Sequence, residues 1–456
     1  MPFRRQATGS VASAQGMKEL RIALLGQGLV SWGGGLELLR ICANALLIKA
    51  RTESIQVFFL LPEPPITARL KRFAYPYKEV ISDLLHFRRP HFFHPTAITS
   101  SQVLDVVENI NGSLQLVPYQ DSRAGLVNAV ESIHADVVLP CVFSLGRDFP
   151  VPWAGYIPDL QHKYLPEFFS ASEMVARDCS FAGMLRDAQA LVVNGAAVSD
   201  DIKHWYPGHD CRIFTLPFAP TLRENWLASD SMEVRRKYGL PDRFFVIPNQ
   251  LFVHKSHRTA FTALSSVIQV PDASDVHIIC TGKTEDNRFP RYFDELKSTI
   301  RELGLSSRVR FLGFIPKQDQ IQMVRQSVAV VQPTLFEGGP GGGAVYDAIA
   351  VGARAIVSDI PINREIEEGE GILFFKAGSA EDLAEKMLNL LREPRSSCPA
   401  SVLIAKSAGR ANRLGDRLLE VIAYTRNRHV QPHTAPRSAR CSTQELGGTT
   451  SCEHNS

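Results

Sequence analysis

Residues 337–347, EGGPGGGAVYD, combine more reactive and ligand-binding potential than any other stretch of the chain. Gly338, Gly339, Gly341, Gly342 and Gly343, interrupted by Pro340, follow the apolar run VAVVQP and precede AVYDAIAVG, which has helical spacing. A glycine-rich turn opening a helix bares backbone N–H groups, and the helix dipole adds positive potential there, so the pattern suits a diphosphate. A turn without a ligand needs only one or two glycines. Glu337 and Asp347 flank the loop and can accept hydrogen bonds from sugar hydroxyls. Upstream, PNQLFVHKSH places Lys255 just past the apolar run FFVIP, where a doubly wound sheet presents its ligand groups. An ammonium there supplies a point charge to phosphate oxygens. A second glycine cluster, Gly33, Gly34 and Gly35, stands between the run LRIALLG and the periodic segment LELLRICANALL. It offers a further anion-facing turn, but its spacing is not the GxGxxG of nicotinamide cofactors.

These loops need elements to hold them. Short Val- and Ile-rich runs recur along the body: LRIALLG, QVFFLLP, ADVVLPC, QALVVN, FFVIPN, VHIICTG, VRFLGF, VAVVQP and ARAIVSD. Continuous apolar runs of this length predict strands buried on both faces of a parallel sheet. Periodic segments such as 290–304 and 380–394 predict the intervening helices. Strand–helix alternation throughout predicts an α/β fold of two Rossmann-like doubly wound domains facing across a cleft. The pattern restarts after LPFAP at 216–220, which sets the expected boundary near 218. The expected units are an N-terminal tail 1–16, a first Rossmann-like domain 17–218, a second 219–425 and a C-terminal tail 426–456.

Composition narrows the class. The 456 residues are 45% apolar and 21% charged, which excludes disordered, collagenous and coiled-coil chains. The net charge of +3 suggests nucleic acid only until it is located. Arg4 and Arg5 stand in the first tail without an acid, and the last tail has four arginines against Glu445 and Glu453. The body between is within one charge of neutral, so no nucleic-acid partner is expected. Eight scattered cysteines form no CxxC pair and predict a reduced, intracellular chain.

The order of motifs over 248–366, a basic residue after the domain's first strand, CTG with Gly282, FLGFIP, PTLFEGG and SDIPINREI, resembles the GT-B retaining glycosyltransferases of group 1 (family 4). The resemblance extends across roughly 18–395. It implies a nucleotide-diphosphate-sugar donor in the C-terminal domain, a glycan or lipid-linked acceptor in the N-terminal one, and a cytoplasmic enzyme of polysaccharide biosynthesis. The first acid of the family's Glu-x7-Glu motif falls on Glu337, near the donor sugar, and the second on Asp347, near the ribose. Here the separation is ten positions instead of eight, and the second acid is Asp. Gln250 stands about where the family commonly has an arginine, which leaves the diphosphate to Lys255 with help from a residue such as Arg258. Gly33, Gly34 and Gly35 resemble the family's first loop, which reaches the donor phosphate across the cleft. The segment AGYIPDLQHKYLPEFFS resembles the stretch carrying a catalytic histidine, here His162, with Asp159 beside it on the acceptor side.

Those residues would support transfer with retention. Lys255 and the N–H groups of 338–344 hold the diphosphate, Glu337 positions the hexose, and domain closure excludes water. No protein nucleophile is evident, and neither a metal nor another cofactor is implied. The donor is expected to be GDP-mannose or a UDP-sugar. Other readings of the same fold are a sugar-nucleotide epimerase, a phosphorylase, or a noncatalytic nucleotide-sugar or glycan binding module. The basic-aromatic stretch 69–93 suggests a peripheral contact with the inner face of a membrane.

Overall fold

The computed structural model describes residues 19–63, 114–223, 225–228, 231–286, 288–366, 371–394 and 398–430. The stretches 1–16, 69–93 and 431–456 lie outside the described residues, and with them the expected membrane contact. Among the described residues no helix is long and apolar enough to cross a membrane.

Seven parallel strands form the first sheet: β1 (Leu20–Leu25), β2 (Ile55–Glu63), β3 (Gln115–Gln120), β4 (Val137–Cys141), β5 (Trp153–Tyr156), β6 (Ala190–Val193) and β7 (Arg212–Thr215), in the order β3-β2-β1-β4-β5-β6-β7. In β1 the side chains alternate between two cores: Ile22 and Leu24 pack on one face, Ala23 and Leu25 on the other, all fully buried. That double burial is what the unbroken apolar run encodes.

The second sheet has six parallel strands, β8 (Phe244–Pro248), β9 (His277–Thr281), β10 (Val309–Phe311), β11 (Val330–Gln332), β12 (Ala355–Ser358) and β13 (Ile372–Phe375), in the order β10-β9-β8-β11-β12-β13. Helices fill both faces. The helices that matter below are α1 (Gly33–Lys49), α2 (Ala171–Asp187), α3 (Ala196–Trp205), α4 (His257–Val267), α5 (Lys317–Gln326), α6 (Gly342–Ala350) and α7 (Ala400–Val430). In both sheets the order reverses beside the first strand, and ligand crevices form outside the carboxyl ends of strands at such points. The glycine loops and Lys255 all follow strand ends there.

The last helix departs from the expected division. Although α7 follows the second sheet in sequence, Leu414, Leu418, Val421 and Ile422 belong to the first sheet's core beside Leu39, Cys42 and Leu46. Gly415 lets α7 approach α1, because a Cβ there would stand 2.8 Å from the Ala45 carbonyl oxygen. The helix also runs on to Val430, past the expected start of the tail at 426. The chain thus returns to its first domain, and the two domains are joined at one edge by both the 216–223 connection and α7.

Candidate active site

The carboxyl ends of β8 and β11 bring together the two groups singled out first. Lys255 Nζ donates to Glu337 Oε1, and Gln332 Nε2 donates to the same oxygen at 2.7 Å. Asn249 in turn donates to Gln332 Oε1, so a polar chain runs from the end of β8 through β11 to the glycine loop. The Lys255 and Glu337 side chains are only 14% and 9% exposed. Two histidines bracket the lysine. His254 and His257 are both held down to about 3, first by burial and then by the Lys255 charge. They are neutral at pH 7, so Lys255 is the cation of this segment.

The glycine loop is spent partly on its own fold. Gly341 and Gly342 have φ of +67° and +60°, which a side chain would strain. The Gly341 N–H donates to Asn363 Oδ1 at 2.8 Å and the Gly342 N–H to the Gly339 carbonyl at 3.2 Å. Gly343, exposed in the first turn of α6, has open space where a Cβ would be. Gly338 and Gly339 serve a different need, close approach to the first domain. A Cβ on Gly338 would lie 2.7 Å from the Pro158 carbonyl oxygen and 3.0 Å from Asp159 Cβ; on Gly339 it would press on Asn194. Asn194 Nδ2 donates to the Gly338 carbonyl at 3.1 Å across the domain gap.

Asp347 lies in α6 and is buried. Burial pushes its carboxyl above the usual aspartate range, against the pull of Lys317, whose ammonium donates to Oδ2. Glu37, one turn into α1, belongs to the same charge cluster. Burial is the largest single influence and would raise it too, but Arg40, Arg223 and Lys317 together outweigh it and hold it at about 2. Arg223 donates to Glu37 Oε2 at 2.8 Å, and Arg40 also reaches Thr221 at 3.1 Å. The first turn of α1 therefore faces α6 and the domain connection. Within it Gly33 is exposed to open space, whereas Gly34 and Gly35 are bare because the Trp32 indole lies across them, 2.3 and 2.7 Å from where their Cβ atoms would be.

Gln250 is exposed just after β8. Gly282 touches it: with φ of +125°, a Cβ there would stand 2.3 Å from the Asn249 carbonyl oxygen and 3.0 Å from the Gln250 nitrogen, so glycine keeps these two strand-end loops in contact. Arg258 is exposed at the start of α4. Asp159 reaches the glycine loop as expected of a cleft residue, but its carboxylate is held by Arg177 at 2.9 Å and by the Gln161 N–H at 2.9 Å.

His162 is enclosed. The family resemblance implied a catalytic ring near the transferred sugar; the side chain is 1% exposed, edge-on to Phe169 and Phe181 at 6.2 and 5.6 Å. Its Nε2 is 2.9 Å from Asp178 Oδ1, while Nδ1 is buried without a partner. Burial, ahead of the nearby cations, lowers its pKa. Asp178 also accepts from Lys163 and Tyr206, and these hydrogen bonds outweigh burial to hold it at about 2. The apolar flanks in LPEFF bury this histidine rather than present it. His162→Ala is accordingly expected to cost about 2–4 kcal/mol of stability. In a denaturant titration the midpoint should fall, while the rate per folded molecule changes severalfold at most.

Several residues of this region escaped sequence reasoning. Lys317 sits in IPKQDQ with no pattern of its own. Asn194 follows β6, where chain position alone gave a signal. Glu365 lies inside the quoted SDIPINREI but had no assigned role; its carboxylate accepts the Ala196 and Ala197 N–H groups at 2.8 Å each, capping α3 from the other domain. Aromatic contacts close the same gap farther out, with Phe168 4.8 Å from Phe289 and Arg288 4.7 Å from the Phe169 ring.

Comparison with known proteins agrees with this geometry. Residues 230–401 match the family model of glycosyl transferases group 1. Mannosylfructose-phosphate synthase of Agrobacterium fabrum is 22% identical over 163 residues, 36% of this chain, and the chain spans 36% of that relative's length. Among solved structures, HepE of Anabaena in complex with UDP and glucose superposes with a TM-score of 0.56 at 14% identity, covering 89% of this chain and 100% of that one. Sucrose-phosphate synthase of Thermosynechococcus elongatus superposes with a TM-score of 0.52 at 14% identity, covering 89% and 96%. The fold is that of GT-B glycosyltransferases, two parallel α/β sheets facing across a cleft.

Proposed function

We propose that this chain, with a group 1 glycosyltransferase match over 230–401 on a GT-B fold, transfers a hexose from a nucleotide-diphosphate sugar to a hydroxyl acceptor with retention of configuration. The observation that carries the reading is the Lys255–Glu337 pair beside the glycine loop. In transfer, the bond between the anomeric carbon and the diphosphate oxygen breaks, the acceptor oxygen bonds to that carbon, and the hydroxyl proton passes to the leaving diphosphate. Negative charge builds on the diphosphate, where Lys255 and the N–H groups at the starts of α6 and α1 would stabilise it. Glu337, freed from Lys255 when phosphate takes the ammonium, would accept hydrogen bonds from the hexose.

Asp347 can reach a ribose only by giving up Lys317. That exchange fits a longer loop and a shorter acid: the carboxylate stays satisfied when no nucleotide is bound. UDP in complex with HepE supports a UDP-sugar donor over GDP-mannose. The phosphate-bearing products named for two of the relatives support a sugar-phosphate or glycan acceptor. The first domain, between Asp159 and the α1 turn, would bind it.

Titrating the protein with UDP, GDP and ADP while following its melting temperature tests the donor reading. UDP is expected to raise the midpoint most, since a ligand specific to the native state at a hundred times its Kd adds about 2.7 kcal/mol. No shift with any nucleotide would defeat it. Nucleotide release that needs an acceptor separates transfer from mere binding.

A further inference from the structure

One cavity of the fold lies outside the donor face. It measures about 360 Å³ and is lined by Asn194, Phe218, Pro340, Glu365, Arg413 and Arg417 among others. Strand order separates it from Lys255. In the second sheet β8 and β12 flank β11 on opposite sides. Lys255 follows β8, the glycine loop follows β11, and Glu365 follows β12. Pro340, buried in that loop, is thus a wall between the donor side and this cavity, whose far side is built from the end of β7 and from α7.

The lining has a distinct chemistry. Arg413 and Arg417 are one helical turn apart on α7 and so share a face. Arg417 is already used, by the Thr215 carbonyl at 3.0 Å and by Glu420. The Arg413 guanidinium has no hydrogen-bond or ion-pair partner among the described residues. Opposite, Glu365 and Asn194 keep acceptor capacity beyond the bonds they make: a carboxylate has about four lone-pair sites, and although both Nδ2 hydrogens of Asn194 are given to Tyr156 and to the Gly338 carbonyl, its Oδ1 can still accept. Phe218 and Pro340 supply apolar surface between the polar ends. A bare anion would gain from Arg413 but meet the Glu365 charge. A molecule with a phosphate at one end and hydroxyls at the other satisfies both ends. The volume is within the roughly 300–1,000 Å³ of small-ligand sites.

We propose that this cavity is a second ligand site, for a small sugar phosphate, separate from the donor and acceptor positions. The phosphate pairs with Arg413, hydroxyls bond Glu365 and Asn194, and the sugar's C–H face lies on Phe218 and Pro340. Because Pro340 belongs to the glycine loop, and Asn194 holds the Gly338 carbonyl, an occupant stiffens the loop that faces the donor. The site then acts as an effector site.

Calorimetric titration of the full-length protein with glucose 6-phosphate, at saturating UDP, tests this. Saturable binding is expected, with inorganic phosphate and glucose each weaker by about tenfold or more. Arg413→Glu should weaken it by about tenfold or more and Arg413→Lys should restore part. Lys255→Ala with Glu337→Gln, which strands no buried charge, should leave it intact. Arg413 is exposed, so its variants should fold, and an unchanged melting temperature checks that they do. The proposal is overturned by absence of binding in the parent protein, by equal affinity in Arg413→Glu, or by loss in the folded double variant, which would put the sugar phosphate in the donor cleft. The rise in melting temperature with UDP reports on the donor reading independently.

Discussion

Lys255→Ala lowers the kcat/KM for transfer by roughly 10²- to 10³-fold, the usual effect of removing one preorganised charge from a developing anion. The structure adds a complication that the experiment must separate. Lys255 is also the partner of a nearly buried carboxylate, so alanine strands Glu337 with only the Gln332 amide. Stranding a buried charge costs about 3–5 kcal/mol, and loss of activity could then reflect unfolding. The double variant Lys255→Ala with Glu337→Gln removes the stranded charge. Its melting temperature should recover most of the loss, while transfer stays as low as in the single variant or falls further. Lys255→Arg should keep the ion pair yet recover only part of the rate, because a planar fork does not reproduce a compact ammonium. A double variant that regains both stability and rate would remove Lys255 and Glu337 from the reaction.

The sequence disclosed every internal strand but β5, together with the edge strand β10 in VRFLGF, and hid the other three edges. Each of the nine apolar runs falls on a strand. The four that passed unnoticed are β3, β5, β7 and β13. Three are sheet edges, where burial on both faces lapses and the unbroken Val and Ile pattern with it; QLVPYQ in β3 is mostly half-exposed or exposed. The fourth, WAGY in β5, is internal but only four residues long, and Gly155 is there because Leu191 leaves no room for a side chain. The site divides along a similar line. Lys255, Glu337 and the glycines were readable because backbone-anion chemistry needs local sequence, strand end then loop then helix. Pairings such as Lys317 with Asp347, Asp178 with His162 and Glu365 with α3 span 30, 16 and 169 positions. Nothing in local spacing encodes them. The burial of His162 was hidden for the same reason: Phe181, which packs edge-on against it, is 19 positions away.

Glu365→Ala should raise the ratio of donor hydrolysis to transfer by about five- to thirtyfold, with little loss of global stability. The argument begins at the start of α3, whose first N–H groups lack partners within the helix. Glu365 supplies them from the other domain with two hydrogen bonds of 2.8 Å, and an anionic cap at a helix start is worth about 1–2 kcal/mol. Because donor and acceptor of these bonds lie on different domains, that energy favours the closed arrangement rather than either domain alone. Losing it shifts the open–closed balance by the corresponding factor, and an open cleft admits water to the donor. Gly195 shows that the fit is tight, since a Cβ there would stand 2.4 Å from Ile362 Cδ1. Gly338→Ala provides an independent wedge at the other contact, where the Pro158 carbonyl leaves 2.7 Å. Both variants should raise the hydrolysis ratio and enlarge the radius of gyration in solution scattering, and Glu365→Gln should lie between Glu365→Ala and the parent. If neither variant changes the scattering or the ratio, closure is held elsewhere, and the aromatic contact of Phe168 with Phe289 becomes the joint to break.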